Sequence, residues 1–368
     1  MAEHSSRILF ISYPLLTVSD ESAGGAEQVL WNLERELFLR GARTTVAASS
    51  GSRVSGEMFA TGAPCSRPDD YERRNREHQE AVIRFVQQRA REGRPFDLVH
   101  DMSGSFWQRA AELDTPFLST LHLPRGFYSR ELFSHIPGNV RFNCVSESQA
   151  QSFDGLDSLM GVAPNGVALD RFEPNYGPRS GLLWLGRVCE EKGPHLAIEI
   201  ARLAGEPITL AGQVYPFSYH QKFFRERVLP ELRRMGEARF IDSPSLAQKR
   251  SLLREARALL VTSQVDETSS LVAMEAAASG TPVIAFRRGA LPEVVKHGGT
   301  GYLVDSAEGA AHAVRVLDRI SPLCCVRYAR SNFSSARMAQ SYAAFYAELL
   351  HPRGVPGTQS WRAIPNAI

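Results

Sequence analysis

Four charged residues in the second half of this 368-residue chain have the spacing of a site for phosphate and sugar oxygens. Arg187 and Lys192 lie in a loop between a predicted strand and a predicted helix, where two cations and free helix N–H groups can converge on a diphosphate. Glu267 and Glu275 are separated by seven residues, so one carboxylate lies in a loop and the other about two turns into a helix. Such a pair can accept hydrogen bonds from a sugar and a ribose. Taken singly, each residue also fits a solvated surface charge or a helix-dipole partner.

A glycine pair, Gly24-Gly25, precedes a predicted helix near the start of the chain. Glycine lets the backbone approach a ligand closely, and the N–H groups of a helix N-terminus attract phosphate or sugar oxygens. A tight turn explains the same two residues equally well. The spacing GxGxxG does not occur at this loop, so the sequence does not support a dinucleotide fingerprint.

The elements that must position these residues alternate between short apolar runs and amphipathic segments, which predicts βαβ units and parallel sheets. A first series of strands is predicted at 8–12, 44–48, 97–100, 116–122 and 140–145, with helices at 26–40 and 69–92. A second series of strands is predicted at 181–185, 207–211, 239–242, 258–262, 282–286 and 301–304, with helices at 194–204, 217–235 and 246–256. Two doubly wound domains facing each other across a cleft are the simplest fit, because ligands of such sheets lie beyond the carboxyl ends of the strands.

The stretch 170–180 contains two prolines and a glycine and has no apolar period, which is typical of a linker between domains. We therefore predict an N-terminal domain over residues 1–174 and a second domain over 175–330. An amphipathic helix over 331–350 needs a partner for its apolar face, and 351–368 is predicted to be a loosely held tail.

Charge and composition exclude several classes of protein. Net charge is +2 over the chain, which argues against a dedicated nucleic-acid-binding protein. No apolar run approaches the length of about 20 residues that spans a bilayer, so a soluble, cytoplasmic protein is expected. An arginine-rich helix at 70–94 also carries five acidic residues, so a solvated helix is favoured over peripheral membrane contact. The five cysteines show no CxxC pair, and reduced thiols are expected.

Several motifs, taken in order, resemble those of the family 4 (group 1) glycosyltransferases, which have the GT-B fold. The resemblance covers about residues 7–348. It rests on Gly24-Gly25, Pro164-Asn165-Gly166-Val167, Gly186-Arg187, Lys192-Gly193, Glu267 with Glu275, and Gly280-Thr281-Pro282-Val283. It implies two Rossmann-like domains that transfer a sugar from a nucleotide-diphosphate donor to an acceptor with retention of configuration, without an essential metal or other cofactor. UDP-sugars are favoured as donors, and the sugar is expected to be of glucose, N-acetylglucosamine or mannose type.

The resemblance also implies roles for individual residues. The catalytic set is His122, Glu267, Arg187 and Lys192, in which the two cations hold the diphosphate and Glu267 holds the donor sugar. Glu275 would bind the ribose. Further donor contacts are expected from Gly24, Gly25, Ser270, Leu271 and Val272. One departure from the family pattern is Thr268-Ser269-Ser270, which stands where relatives usually have Pro-Phe-Gly.

Fixed cations and helix N–H groups would stabilise the departing diphosphate, and attack on the same face as departure is the route that the resemblance favours. Two alternatives are a non-catalytic nucleotide-sugar sensor and a GT-B epimerase acting on a UDP-sugar. No short motif identifies the acceptor, which could be a small molecule, a glycan or a lipid-linked molecule, and the oligomeric state is open.

Overall fold

Apolar runs in the first half of the chain form a seven-stranded parallel sheet, with strand order β3-β2-β1-β4-β5-β6-β7. The structure is a computed structural model that describes residues 5–22, 24–65, 68–129 and 131–351. The strands are β1 (Arg7–Ile11), β2 (Arg43–Ala48), β3 (Glu57–Ala60), β4 (Leu98–Asp101), β5 (Phe117–Thr120), β6 (Val140–Cys144) and β7 (Leu159–Val162). Buried side chains cover both faces of this sheet.

A second parallel sheet has six strands in the order β10-β9-β8-β11-β12-β13. Its strands are β8 (Leu182–Leu185), β9 (Ile208–Gly212), β10 (Ala238–Asp242), β11 (Ala258–Val261), β12 (Val283–Phe286) and β13 (Gly301–Val304). Both sheets have the strand order of doubly wound domains, because the chain moves outward from a central strand first to one edge and then to the other. The first sheet ends at Val162 and the second begins at Leu182.

The helices lie against the faces of the two sheets. In the first domain they are α1 (Gly25–Leu39), α2 (Tyr71–Arg91) and α3 (Glu147–Ser152). In the second they are α4 (Pro194–Ala204), α5 (Ser218–Phe223), α6 (Leu229–Arg234), α7 (Leu246–Glu255), α8 (Leu271–Ala278), α9 (Leu291–Val294), α10 (Ala307–Arg315) and α11 (Pro322–Asn332). The last helix, α12 (Ser335–Leu350), packs against α1.

The structure differs from the predicted elements in three respects. Edge strands β3 and β7 were not predicted; their residues are half-buried or exposed and show no clean alternation. The helix predicted at 217–235 is divided into α5, a π-helical turn at Phe224–Val228, and α6. Pro230 has no N–H to donate to the preceding turn, which accounts for the widened backbone. Strand β5 ends at Thr120, so His122 lies two residues beyond the end of the observed strand rather than at the end of the predicted one.

The surface helix α2 is lined with ion pairs. Arg73 binds Asp70 and Glu77, and Arg89 binds Glu57 on the neighbouring strand β3. Such exposed pairs fit a solvated helix of mixed charge. Across the described ranges, no helix combines the length and the apolar character that a membrane crossing requires.

A buried hydrogen-bond network holds α12 on the N-terminal sheet. His100 Nδ1 lies 2.7 Å from Tyr346 Oη, and its Nε2 lies 2.8 Å from Thr120 Oγ1. Tyr342 Oη lies 3.2 Å from the same threonine oxygen and accepts a hydrogen bond from Asn143 Nδ2 at 3.3 Å. Both tyrosines are fully buried. The helix predicted at 331–350 thus packs its apolar face and two tyrosine hydroxyl groups against the first domain. The predicted tail after His351 lies outside the described residues.

Replacing Tyr346 with phenylalanine removes one hydroxyl and leaves a buried His100 nitrogen without its partner. We expect Tyr346→Phe to lower the free energy of unfolding by about 1–3 kcal/mol, measured by urea titration. Tyr176→Phe is the control, because Tyr176 is 57% exposed. Equal stability of the two variants would show that the network does not anchor the helix.

Candidate active site

A cleft between the two sheets contains every predicted site residue. It has two neighbouring lobes of about 330 Å³ and about 260 Å³. We call the larger the sugar lobe and the smaller the nucleoside lobe, after the groups that the predicted residues would bind. The two lobes share Arg187, Tyr215 and Lys249. Residues of both domains line each lobe, as expected where the carboxyl edges of two parallel sheets face each other.

Nine of the ten predicted site residues line the sugar lobe, and Glu275 lines the nucleoside lobe. The nine are Gly24, Gly25, His122, Arg187, Lys192, Glu267, Ser270, Leu271 and Val272. They come from four separate loops or helix starts. The backbone N–H groups at the start of α8 face the same lobe as the two cations, which is an arrangement suited to an anionic ligand.

Lys192 and Glu267 form an ion pair in the sugar lobe. The Nζ atom of Lys192 lies 2.6 Å from Oε1 and 2.8 Å from Oε2 of Glu267, and Ser263 Oγ donates to the same carboxylate. The turn after Lys192 depends on Gly193, whose φ is +64° and whose Cα faces the backbone oxygen of Thr262 at a spacing that excludes a side chain. The pair therefore joins the β8–α4 loop to the β11–α8 loop.

In the nucleoside lobe, Glu275 is 3% exposed and is held by Lys249, whose Nζ lies 2.5 Å from Oε1. Burial raises the pKa of Glu275, and the ammonium of Lys249 opposes that shift. No described protein group hydrogen-bonds the second oxygen, Oε2. A buried carboxylate oxygen without a protein partner is a ready acceptor for a ligand hydroxyl.

Arg187 lies where the two lobes meet. Its guanidinium carbon is 5.7 Å from the centre of the Tyr215 ring, a cation–π contact that orients the side chain. From this position Arg187 separates the carboxylate of Glu267 on one side from that of Glu275 on the other. A ligand with a sugar at one end, a nucleoside at the other and a diphosphate between them matches this order of charges.

His122 lines the sugar lobe from the N-terminal domain. Burial lowers its pKa to about 4, so the imidazole is neutral at physiological pH. Its Nε2 has no hydrogen-bond partner among the described residues. Its backbone oxygen accepts a hydrogen bond from Thr268 Oγ1 of the other domain at 2.8 Å, which bridges the cleft.

Comparison with known proteins shows what the second domain is similar to. The family model of the glycosyl transferases group 1 matches residues 170–321, which include Arg187, Lys192, Glu267 and Glu275. The second domain of this chain is therefore similar to the group 1 glycosyltransferases.

One relative is the D-inositol 3-phosphate glycosyltransferase of Pseudarthrobacter chlorophenolicus. It is 30% identical over 205 residues, which are 49% of this chain and 48% of the relative. This chain spans about half the length of the curated relatives it matches.

Two solved structures share the fold over nearly the whole chain. AviGT4, a glycosyltransferase involved in avilamycin A biosynthesis, superposes with a TM-score of 0.72 at 22% identity, covering 94% of this chain and 98% of AviGT4. Anabaena HepE, solved in complex with UDP-glucose, superposes with a TM-score of 0.70 at 16% identity, covering 92% of this chain and 98% of HepE. The group 1 domain and its N-terminal partner together have the GT-B fold.

The glycine pair closes the cleft from the N-terminal side. A side chain on Gly24 would collide with the carboxylate of Glu27, which folds back over the first turn of α1. Gly25 faces Leu271 across the cleft, and a Cβ added at Gly25 would lie 3.7 Å from a Leu271 methyl group, an ordinary van der Waals distance. Glu27 therefore excludes a side chain at Gly24, whereas a Cβ at Gly25 would make only an ordinary contact with Leu271.

Four residues of the site were not among the predicted site residues: Tyr215, Lys249, Ser263 and Thr268. Lys249 contacts Glu275, and Tyr215 contacts Arg187, only because the fold brings them together. No spacing in the sequence indicates these contacts. Thr268 belongs to the departure from Pro-Phe-Gly, and proline could not donate its hydrogen bond to His122. The departure itself was the available signal that this loop makes an unusual contact.

The low pKa of His122 has a consequence for stability. The unfolded chain protonates this histidine near its ordinary pKa of about 6.5, whereas the folded chain does so near about 4, so acid favours the unfolded state. The contribution is complete above about pH 6.5 and is lost as the pH falls toward about 4. Between pH 7 and pH 5 we expect wild type to lose about 2 kcal/mol more stability than His122→Gln does.

Urea unfolding at the two pH values measures this difference. The matched control is His312→Gln, which replaces an exposed histidine and should lose as much stability as wild type. Parallel losses in all three proteins would contradict the low pKa of His122.

Proposed function

We propose that this protein is a retaining glycosyltransferase that moves a sugar from a nucleotide-diphosphate donor, UDP-linked, to an acceptor hydroxyl. The donor would lie along the cleft with its nucleoside beside Glu275, its diphosphate at Arg187 and Lys192, and its sugar beside Glu267 and His122. The supporting observation is the order of charges along the cleft: two carboxylates in opposite lobes with Arg187 between them.

Stabilising the leaving group is the main chemical task in this proposal. The bond between the anomeric carbon and the diphosphate oxygen breaks, and both electrons go to that oxygen. Arg187, Lys192 and the N–H groups at the start of α8 would neutralise the charge that develops there, so the transfer step uses no metal ion. The acceptor oxygen bonds to the anomeric carbon, and its proton passes to the departing phosphate oxygen.

The N-terminal side of the sugar lobe supports attack on the same face as departure. A double displacement needs a carboxylate nucleophile close to the anomeric carbon. The described N-terminal residues that line this lobe include glycines, Gln28, His122 and Asn165 but no carboxylate. A neutral His122 can share a hydrogen bond with a sugar hydroxyl without adding charge.

The choice of a UDP-sugar draws on the resemblance of the motifs and on the fold shared with HepE, which was solved with UDP-glucose. The sugar in our proposal is of glucose, N-acetylglucosamine or mannose type, and Glu267 would bind its hydroxyls. The acceptor would reach the sugar lobe from the N-terminal domain, whose loops differ most between proteins of one fold.

Donor cleavage without acceptor tests the proposal directly. Purified protein is incubated with UDP-, GDP- and ADP-sugars, and release of nucleoside diphosphate is followed. We expect slow turnover of one UDP-sugar, and we expect Lys192→Ala and Glu267→Ala each to reduce it by about 100-fold or more, because each removes a fixed charge from the site.

The matched controls are Lys296→Ala and Glu237→Gln, which replace exposed charges in the same domain and should leave turnover unchanged. Donor binding without cleavage, even with cell extract as a source of acceptor, would indicate a nucleotide-sugar sensor instead. Inverted configuration in the product would contradict the same-face mechanism. Absence of binding to every donor would contradict the assignment of the cleft.

A further inference from the structure

At the β8–α4 loop, which carries Arg187 and Lys192, the side chains of three residues bring a thiol, a carboxylate and an imidazole together. Cys189, Glu191 and His220 each offer a ligand atom, and these atoms all lie within 4.8 Å of one another. Cys189 and Glu191 belong to the β8–α4 loop, between Arg187 and Lys192, and His220 comes from α5. None of the three is among the residues that line either lobe of the cleft as described.

The histidine of this cluster is buried without a partner. His220 is 0% exposed, and neither ring nitrogen has a hydrogen-bond partner among the described residues. Glu191 Oε2 is likewise buried and unpartnered. Each unpaired buried polar group costs about 1–3 kcal/mol, so packing alone gives no reason for three such atoms at one place. The aromatic rings of Tyr215, Phe217 and Tyr219 surround His220 and supply no hydrogen-bond partner to it.

We infer that Cys189, Glu191 and His220 form a binding site for a zinc ion, distinct from the donor cleft. Zinc accepts sulfur, nitrogen and oxygen ligands together in tetrahedral geometry, with bonds of about 2.0–2.3 Å that place neighbouring ligand atoms about 3.5 Å apart. Because the three ligand atoms lie within 4.8 Å of one another, they reach this spacing by shifts of no more than about 1.3 Å in their separations. Three protein ligands leave the fourth position to water.

The charges of the group suit a divalent cation with a thiolate ligand. Burial raises the pKa of Cys189, so its sulfur carries a proton in the absence of metal, and binding releases that proton to solvent. Burial also lowers the pKa of His220, which keeps the imidazole in the neutral form that ligates metals. The thiolate and the carboxylate of Glu191 together balance the two positive charges of the ion, which offsets its repulsion from the nearby guanidinium of Arg187.

Such an ion would fix the loop that carries Arg187 and Lys192, because two of its ligands lie between those cations in the chain. This consequence rests on the proposed function, whereas metal binding does not. The ion would have a positioning role away from the transferred bond. Ligands of this kind that hold neighbouring groups in place change affinity by about 10- to 100-fold when they are removed.

Metal content of the full-length protein tests the site without reference to activity. After purification without chelator and dialysis, we expect about one zinc ion per chain by elemental analysis. Replacing zinc with Co²⁺ should give a thiolate-to-cobalt charge-transfer band and the intense visible bands of tetrahedral cobalt. Cys189→Ser and His220→Asn should lose both the metal and the spectrum, while Cys325→Ser, which replaces another buried cysteine of the same domain, should keep both.

Thermal unfolding followed by circular dichroism shows whether each variant is folded. Glu191→Gln provides the milder test, because it keeps the side-chain shape and should weaken zinc binding by about 10-fold or more in competition with a chromogenic chelator. A folded wild-type protein that binds no zinc, or a Cys325→Ser variant that loses as much metal as Cys189→Ser, would overturn the inference.

The effect on the loop has its own measurement. UDP binding is measured by calorimetry before and after removal of zinc by a chelator, and we expect the affinity to fall by about 10-fold. Unchanged affinity with confirmed loss of zinc would overturn the positioning role but not the site. Failure of the zinc-loaded protein to bind UDP at all would count against the proposed function alone.

Discussion

The cleft exists because the chain passes between its two domains twice, and buried contacts hold the second passage in place. After the second sheet is complete, α12 returns to the N-terminal domain, where Tyr342 and Tyr346 join His100 in a buried network. A polar network inside an apolar core is costly unless it is fully paired, so it fixes one position of the helix rather than several. The carboxyl edges of the two sheets are thereby held opposite each other.

Two smaller contacts set the distance across that cleft. Thr268 donates to the backbone oxygen of His122, and the carboxylate of Glu293 accepts hydrogen bonds from the backbone N–H groups of Glu147 and Ser148 at the start of α3, at 2.9 and 2.8 Å. The second contact pairs a negative charge with the positive end of a helix. These contacts consist of one and two hydrogen bonds, which a modest domain movement can break and re-form, whereas the α12 network is buried. Opening for donor entry would therefore occur at the cleft edge and not at the returning helix.

The sequence was sufficient to predict the central strands and four of the charged residues that line the cleft, for identifiable reasons. Strands such as β8 and β12 are buried on both faces and appear as continuous apolar runs, while the half-exposed edge strands β3 and β7 carry no such signal. Arg187, Lys192, Glu267 and Glu275 lie in motifs whose spacing is local. Contacts such as Lys249 with Glu275, or Cys189 with His220, join elements 26 to 31 positions apart in the chain. These contacts depend on how the helices pack against the sheet, which the hydrophobic periodicity of the sequence does not specify.

The pairing of Lys192 with Glu267 explains how the cleft can carry strong charges before a donor arrives. Each group is proposed to bind a different part of the donor, so the pair must separate or rearrange on binding. The side chain of Lys192 is 32% exposed and that of Glu267 is 11% exposed, so the pair is intermediate between a surface and a buried ion pair. A surface ion pair stabilises a fold by about 0–1 kcal/mol, and in a buried ion pair the cost of desolvation offsets the attraction. In the proposed function, a diphosphate would replace the carboxylate of Glu267 at Lys192 and would free that carboxylate for the hydroxyls of the incoming sugar. The ion pair would then keep both groups in place before binding and would couple recognition of the diphosphate to recognition of the sugar.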